Sequence, residues 1–262
     1  MVVLVIVKVT GTSATPTPAT GPPPTPAPAA VVHDVTAIPE AVFDAVGVTS
    51  TDAAVTPPSL LAGQRPLEET GKPEVVFVGD EFCPYCAAER WAVVAALARF
   101  GTWHGLDAIQ SGSDEAFPAT PTFTFVSARY TSPYVTAKLI EHYGDQQNSA
   151  GTSYTVLERL PRAVQSLMAE YDRPTPGLVP FLDIANRAVV AGGVFSPAVL
   201  QQLTTTDIAG GLTDPKDPAT QAIVASANYL SAVMCQADGG LPSRVCTSAG
   251  VTAAASALSL RS

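Results

Sequence analysis

The sequence predicts an α/β fold, and three observations carry that reading. Glu74 to Gly79 (EVVFVG), a short apolar run of β-branched and aromatic residues, has the signature of a buried strand and leads into Phe82-Cys83-Pro84-Tyr85-Cys86. From Pro84 to Phe100 the pattern turns helical, with proline suited to the first turn and Trp91, Val94, Leu97 and Ala98 on one face. Further along, Pro180 to Ile184 and Ala188 to Ala191 flank Asn186-Arg187, a natural hairpin turn, and Gly192-Gly193 ends the second strand.

The other elements follow from their punctuation. Pro39 to Val46 (PEAVFDAV) has the spacing of a short helix, and Pro57 to Pro66 reads as a loop. Leu106 to Ile109 and Thr122 to Val126 (TFTFV) read as short strands. Pro161 opens a helix whose inward face is Val164, Leu167, Met168 and Tyr171. Ser196 caps a short helix with Pro197 at its first position, and Pro218 to Met234 forms a longer, alanine-rich helix. No internal repeat is visible.

The N-terminus stands apart from this pattern. Met1 to Val7 (MVVLVIV) is apolar, and Gly11 to Ala30 contains seven prolines and five threonines. The apolar run is too short to span a bilayer, which needs about 20 residues. Followed by an extended Pro/Thr spacer, it reads as the end of a membrane anchor or a truncated signal. The expected organisation is therefore an anchor remnant over 1–10, a linker over 11–32 and one domain over 33–262 with a C-terminal helical extension. The expected location is the outer side of a cell membrane, tethered or secreted.

A net charge of −9 and a pI near 4.7 exclude electrostatic wrapping of nucleic acid, which needs a basic face. The four cysteines divide into a close pair, Cys83 and Cys86, and a looser pair, Cys235 and Cys246, with ten residues between them. Zinc is the competing reading of a Cys-x-x-Cys, but a structural site needs a second close pair or a Cys/His knuckle. The histidines, His33, His104 and His142, are scattered and read as ordinary polar residues. No metal ligand set and no cofactor are expected.

A thiol attacks a disulfide as the thiolate, so a redox pair needs one acidic cysteine and a second close enough to resolve the mixed disulfide. Placing Cys83 at a helix N-cap, where backbone N–H groups and the helix dipole favour negative charge, supplies the first; Cys86, one turn in, supplies the second. Phe82 and Tyr85 beside the thiols are candidates for an apolar contact surface, and Trp91 for the core. Asp80, Glu81 and Glu89 have two readings: stabilising the helix start, which comes first, or relaying the proton of the resolving cysteine.

A Cys-x-x-Cys between a strand and an amphipathic helix resembles the thioredoxin superfamily, with the Pro-Tyr dipeptide familiar from glutaredoxins. The resemblance extends to Val179-Pro180, where that superfamily carries a cis-proline loop facing the cysteines and pairing with a substrate strand. It implies a central mixed sheet with helical insertions. More narrowly, GDEFCPYCAAERWAVVAALARFGTW, FPATPTFTF and VMCQADGGLPSRVC look like domain of unknown function 929, a thioredoxin-like family of actinobacteria and archaea whose members carry an N-terminal membrane anchor.

Cys235 and Cys246 bracket Gly239-Gly240 and Pro242, so the loop can fold back and join them, with a structural disulfide as the expected result. The alternative is a relay to Cys83 and Cys86. The functional expectation is an oxidoreductase acting on thiols or disulfides of exported proteins and recharged by an unknown redox partner. The competing readings are a binding module of the cell envelope without turnover and a metal chaperone using the two thiolates.

Overall fold

The computed structural model describes residues 23–52, 54–148, 153–171 and 177–260. The Met1 to Val7 run and most of the Pro/Thr tract, on which the anchor reading rests, lie outside them. Among the described residues, no helix is long and apolar enough to cross a membrane.

The centre is a mixed sheet built on β1 (Lys72–Gly79), which leads directly into α1 (Pro84–Ala98). The chain returns as β2 (Thr136–Glu141), parallel to β1 from Glu74↔Thr136 to Gly79↔Glu141. On the other side of β1 lies β3 (Phe181–Ile184), antiparallel to it, followed by the hairpin strand β4 (Ala188–Ala191). The two-residue strands Ser59–Leu60, against β4, and Glu68–Glu69, against the start of β1, extend the sheet.

Side chains alternate across each strand, so one sequence supplies two cores. Val75 and Phe77 of β1, Leu182 and Ile184 of β3, and Ala188 and Val190 of β4 join the larger core with α1 and α2 (Pro218–Asp238). Val76, Val78, Phe181 and Val189 face the other way and pack on Val164 and Met168 of the helix Arg162–Tyr171. Burial on both faces explains why the first strand reads as an unbroken apolar run. It also makes α1 more deeply buried than one inward face implies: α2 covers its far side, and Val93, Ala95 and Ala96 are as buried as Trp91 and Leu97.

The fold is thus α/β with a mixed central sheet, as expected, with three refinements. The hairpin turn lies one residue earlier than read: Ala185 and Asn186 both have positive φ, and the Arg187 N–H donates to the Ile184 carbonyl at 2.8 Å, a type I′ turn. Asp183 Oδ1 holds that turn by accepting the Asn186 N–H at 2.8 Å. The span read as linker ends earlier than residue 32, since Thr25–Pro26 pairs with Ala108 and Asp107 and Ala29–Thr36 forms a helix with Val31 and Val35 buried. The loop from Pro57 to Pro66 contains the short strand Ser59–Leu60.

The C-terminal extension is stitched into the same core. Arg99 donates to Asn228 and Ser231 of α2 at 3.0 and 3.1 Å and to Ser248 at 3.1 Å, and it pairs with Glu40. Gly239, at φ +81°, ends α2, and Cys235 and Cys246 are joined as a disulfide. Closing a loop of eleven residues stabilises the fold by about 2–3 kcal/mol in the chain-entropy account. Urea unfolding of a C235S/C246S variant is expected to show a loss of that size, with the far-UV spectrum of the folded state retained.

Candidate functional site

The dithiol sits where β1 gives way to α1. Cys83 is the N-cap residue, extended at φ −75° and ψ 122°, and Pro84 follows at the first helical position. The Cys86 backbone N–H donates to Cys83 Sγ at 3.2 Å, so the sulfur fills the place that a serine or aspartate oxygen takes in an ordinary cap. The two sulfurs are not bonded to one another.

The environments of the two thiols differ. Cys83 retains 8% of its exposure, whereas Cys86 has none. The Cys83 thiol is held below its ordinary value, first by the hydrogen bond with the Cys86 side chain and then by the Cys86 N–H and the Arg90 charge, against burial and Asp80. Burial first, and then Cys83 itself, push Cys86 well above the ordinary thiol range. Behind Cys86, the Asp80 N–H approaches its sulfur at 3.5 Å.

The peptide bond between Val179 and Pro180 is cis, and the Val179 carbonyl lies 3.9 Å from Cys83 Sγ. Pro180 therefore stands beside the dithiol across nearly a hundred residues of chain. Gly193, at the end of the hairpin, has φ +103°, and a Cβ there would come within 3.2 Å of the Tyr85 ring and 3.7 Å of Pro180. Only glycine combines that backbone with that approach.

Tyr85 is 38% exposed and meets Phe117 edge-on, with ring centroids 5.8 Å apart. Phe82 is half-buried and stacks face to face on Tyr154 at 3.9 Å. Both rings flank the thiols, but only Tyr85 leaves much of its face to solvent. Trp91 is wholly buried, donating its indole N–H to the Pro121 carbonyl at 2.9 Å.

Charge is buried around the pair. Arg90 lies entirely inside, with Nε and Nη2 donating to the Glu141 carboxylate at 2.9 and 2.6 Å and Nη2 also to the Asp80 carbonyl at 2.9 Å. Burial lifts the Asp80 carboxyl to about 6. It lifts Glu89 further, to about 8, with the Cys83 charge adding to the effect. Neither Glu89 oxygen has a hydrogen-bond partner at normal geometry, and the Val194 backbone and Arg90 only partly offset its burial. Glu89 is fully buried, one turn beyond Cys86 within α1.

Sequence reasoning missed the Arg90–Glu141 pair and the rings of Phe117 and Tyr154. The pair had a signal: Glu89-Arg90 is the only charged step in an otherwise apolar α1. The rings did not, because they come from chain segments remote from the motif. Cys235 and Cys246 form their own disulfide in the helical extension, the structural arrangement expected. Among the described residues, no three His, Cys, Asp or Glu side chains are grouped to hold a metal ion.

Comparison with curated proteins and comparison with solved structures each return no match. A family model does match, over residues 60–236, a span that begins in the sheet, contains Cys83, Cys86 and Pro180 and ends one residue past Cys235, the first cysteine of the disulfide. The chain belongs to the family described as domain of unknown function DUF929.

Proposed function

We propose that this protein is a thioredoxin-like thiol–disulfide oxidoreductase acting on exported proteins, with Cys83 as nucleophile and Cys86 as resolving thiol. The observation that carries the reading is the asymmetry of the pair: an acidified sulfur capping a helix beside the Val179 carbonyl, with a buried, high-pKa sulfur one turn behind it. The order of elements supports the thioredoxin-like part: strand, dithiol, helix and parallel strand, then an antiparallel hairpin preceded by a cis-proline.

The chemistry balances as two exchanges. The Cys83 thiolate attacks one sulfur of a substrate disulfide, forming a mixed disulfide and releasing the other sulfur as a thiolate. Cys86, on losing its proton, attacks Cys83 Sγ, which forms the Cys83–Cys86 disulfide and releases the second substrate thiolate. The substrate gains two electrons and the protein loses them. A dithiol or disulfide partner resets the pair, and its potential decides whether the net work is reduction or oxidation.

Tyr85, Phe82 and Val179 are the substrate-facing groups of this reading. Its location, outside the cytoplasm and tethered through the N-terminus, is supported by the Cys235–Cys246 disulfide and by the apolar run and Pro/Thr tract of the sequence. The low exposure of Cys83 favours a second reading, a binding module of the cell envelope that does not turn over.

Insulin reduction with dithiothreitol as reductant tests the choice. Wild type is expected to accelerate it, C83S to lose the acceleration entirely, and C86S to lose turnover while accumulating a mixed disulfide through Cys83. Iodoacetamide should alkylate reduced wild type at Cys83 with an apparent pKa below that of a free thiol. Equal activity of wild type and C83S would sink the oxidoreductase reading.

A further inference from the structure

A concavity opens beside the segment that leads into the dithiol. It measures about 190 Å³, and its lining includes the buried Glu81 and Asp145, which form its base, the half-buried Asp107, and the exposed side chains of Val126 and Leu157. Glu81 lies two residues before Cys83, and Thr155, which also lines the cavity, follows Tyr154, the residue whose ring covers Phe82. The cavity and the dithiol therefore share one supporting framework.

Its base is electrostatically incomplete. Glu81 and Asp145 are 3% and 2% exposed, and Glu81 Oε1 and Asp145 Oδ2 have no hydrogen-bond partner. Asp145 Oδ1 is occupied by the Gln146 side chain at 2.9 Å, while Glu81 Oε2 faces Gly144, where a Cβ would lie 3.4 Å away. Buried acidic oxygens without donors are costly, and each additional carboxylate raises that cost. Burial holds the Glu81 carboxyl above the usual range, Glu141 and Asp145 add to the effect, and a hydrogen bond with the Thr124 side chain and the Arg90 charge only partly offset it. Among the described residues, no lysine or arginine lines the cavity.

The shape of the cavity discriminates between cations. A hard metal ion needs six or more oxygen ligands, whereas Val126 and Leu157, 58% and 44% exposed, form apolar walls. Apolar walls over an anionic base suit a side chain with a methylene stem and a cationic head, which buries the stem and donates several N–H groups to the carboxylates.

We propose that this cavity is a subsite for a lysine or arginine side chain of the protein that docks beside Cys83. The partner's identity as a disulfide-bearing protein rests on the oxidoreductase reading; the pocket's preference for a basic side chain does not. With its net charge of −9, the chain also attracts basic segments at longer range.

Nuclear magnetic resonance of the full, reduced, 15N-labelled chain tests the pocket without turnover. Titration with Nα-acetyl-lysine-N-methylamide is expected to shift the amides of Gly144, Asp145, Thr155 and Leu157. The uncharged norleucine probe, which keeps the aliphatic stem and lacks the ammonium group, should bind at least tenfold more weakly, and E81Q/D145N should lose the lysine response. Equal responses to the two probes, or none at these amides, would overturn the proposal. So would saturation of the same amides by calcium chloride below the concentration at which the lysine probe acts, which would make the pocket a metal site.

Because the two probes are compared on the wild-type chain, poor folding of the double variant leaves the test intact. Trapping of disulfide-linked peptides on C86S, one carrying lysine and one norleucine, separates the two claims. A lysine preference of fivefold or more supports both. Reaction with neither peptide, with the lysine shifts retained, defeats the oxidoreductase reading and leaves the pocket standing; equal reaction with both defeats the subsite as a determinant of docking.

Discussion

Replacing Arg90 by methionine is expected to destabilise the fold by about 3–5 kcal/mol, because it strands the Glu141 carboxylate in the interior. Glu141 is 2% exposed, and apart from Arg90 its hydrogen-bond donor is the Phe125 N–H, at 3.1 Å to Oε1. Arg90 also ties the Asp80 carbonyl through Nη2 and lies 5.8 Å from the Phe77 ring centroid, so its loss loosens the end of β1 where the dithiol begins. A double change, R90M/E141M, removes both charges and is expected to recover much of the loss, since a buried pair often contributes little beyond apolar packing of the same volume.

Acidity of the thiols separates structure from function in that series. The Arg90 charge favours the thiolate of both Cys83 and Cys86. The double variant, although refolded, is therefore expected to alkylate at Cys83 with a higher apparent pKa than wild type, and urea unfolding paired with a pH series of iodoacetamide rates reads both quantities. An unchanged Cys83 profile in a stable double variant would show that Arg90 has only a packing role.

What the sequence made legible was local. The step from Val78 through Cys83 to Pro84 announces strand, cap and helix within a dozen residues, and Ser196-Pro197 marks a helix start by the chemistry of its own backbone. The alanine-rich helix, read as ending at Met234, instead runs to Asp238 and stops at Gly239. The strand Thr136–Glu141 escaped because its meaning is not local. Lys138 and Glu141 look like surface residues, yet Lys138 reaches Glu74 at 2.9 Å and Glu141 is neutralised by Arg90, so β2 can pair with a strand more than sixty residues away. The hairpin turn shifted by one residue for a similar reason. Asp183 supplies the bond to the Asn186 N–H, and that bond selects Ala185-Asn186 over the more familiar-looking Asn186-Arg187.

The dithiol was legible as a motif, and its acidity as a consequence of a helix cap. The charges buried beneath it were not, since burial of Glu89 depends on α2 covering the outer face of α1. Residues 81, 107 and 145 show the same limit at the acidic cavity. Each acid is unremarkable alone, and only the packing of the Tyr143–Gln147 strand against the motif brings them to one pocket.

Those buried acids set the second large effect, a stability that falls as pH rises. Burial places Asp80 at about 6, Asp183 at about 7 and Glu89 at about 8, all above the values these groups take in an unfolded chain. A group whose pKa is raised on folding binds its proton more tightly in the native state, so its stabilising contribution is complete below about pH 4 and is lost as pH climbs through the folded value. Between pH 5 and pH 8 the folded chain therefore holds protons that the unfolded chain has released. Each retained proton costs about 1.4 kcal/mol per pH unit, and the three together weaken the fold by several kcal/mol over that interval. Cys83, held below its ordinary value, acts in the opposite direction, but it is a single group and its contribution begins only towards the alkaline end.

The melting temperature is accordingly expected to be higher at pH 5 than at pH 8 by on the order of 10 °C, given roughly 2–4 °C per kcal/mol for a chain of this size. Asp183→Asn is the sharpest control. Asparagine keeps the Oδ1 that accepts the Asn186 N–H and its amide cannot ionise, so the variant should gain stability at pH 8 relative to wild type and flatten the pH slope by about a third. Glu89→Gln should flatten it further and, being closer to the thiols, should also lower the alkylation pKa of Cys83 by removing an acid whose ionised form disfavours the thiolate. A melting temperature that rises between pH 5 and pH 8 would mean that these carboxyls reach water or a cation in solution, and that the core around the dithiol is less dry than its packing implies.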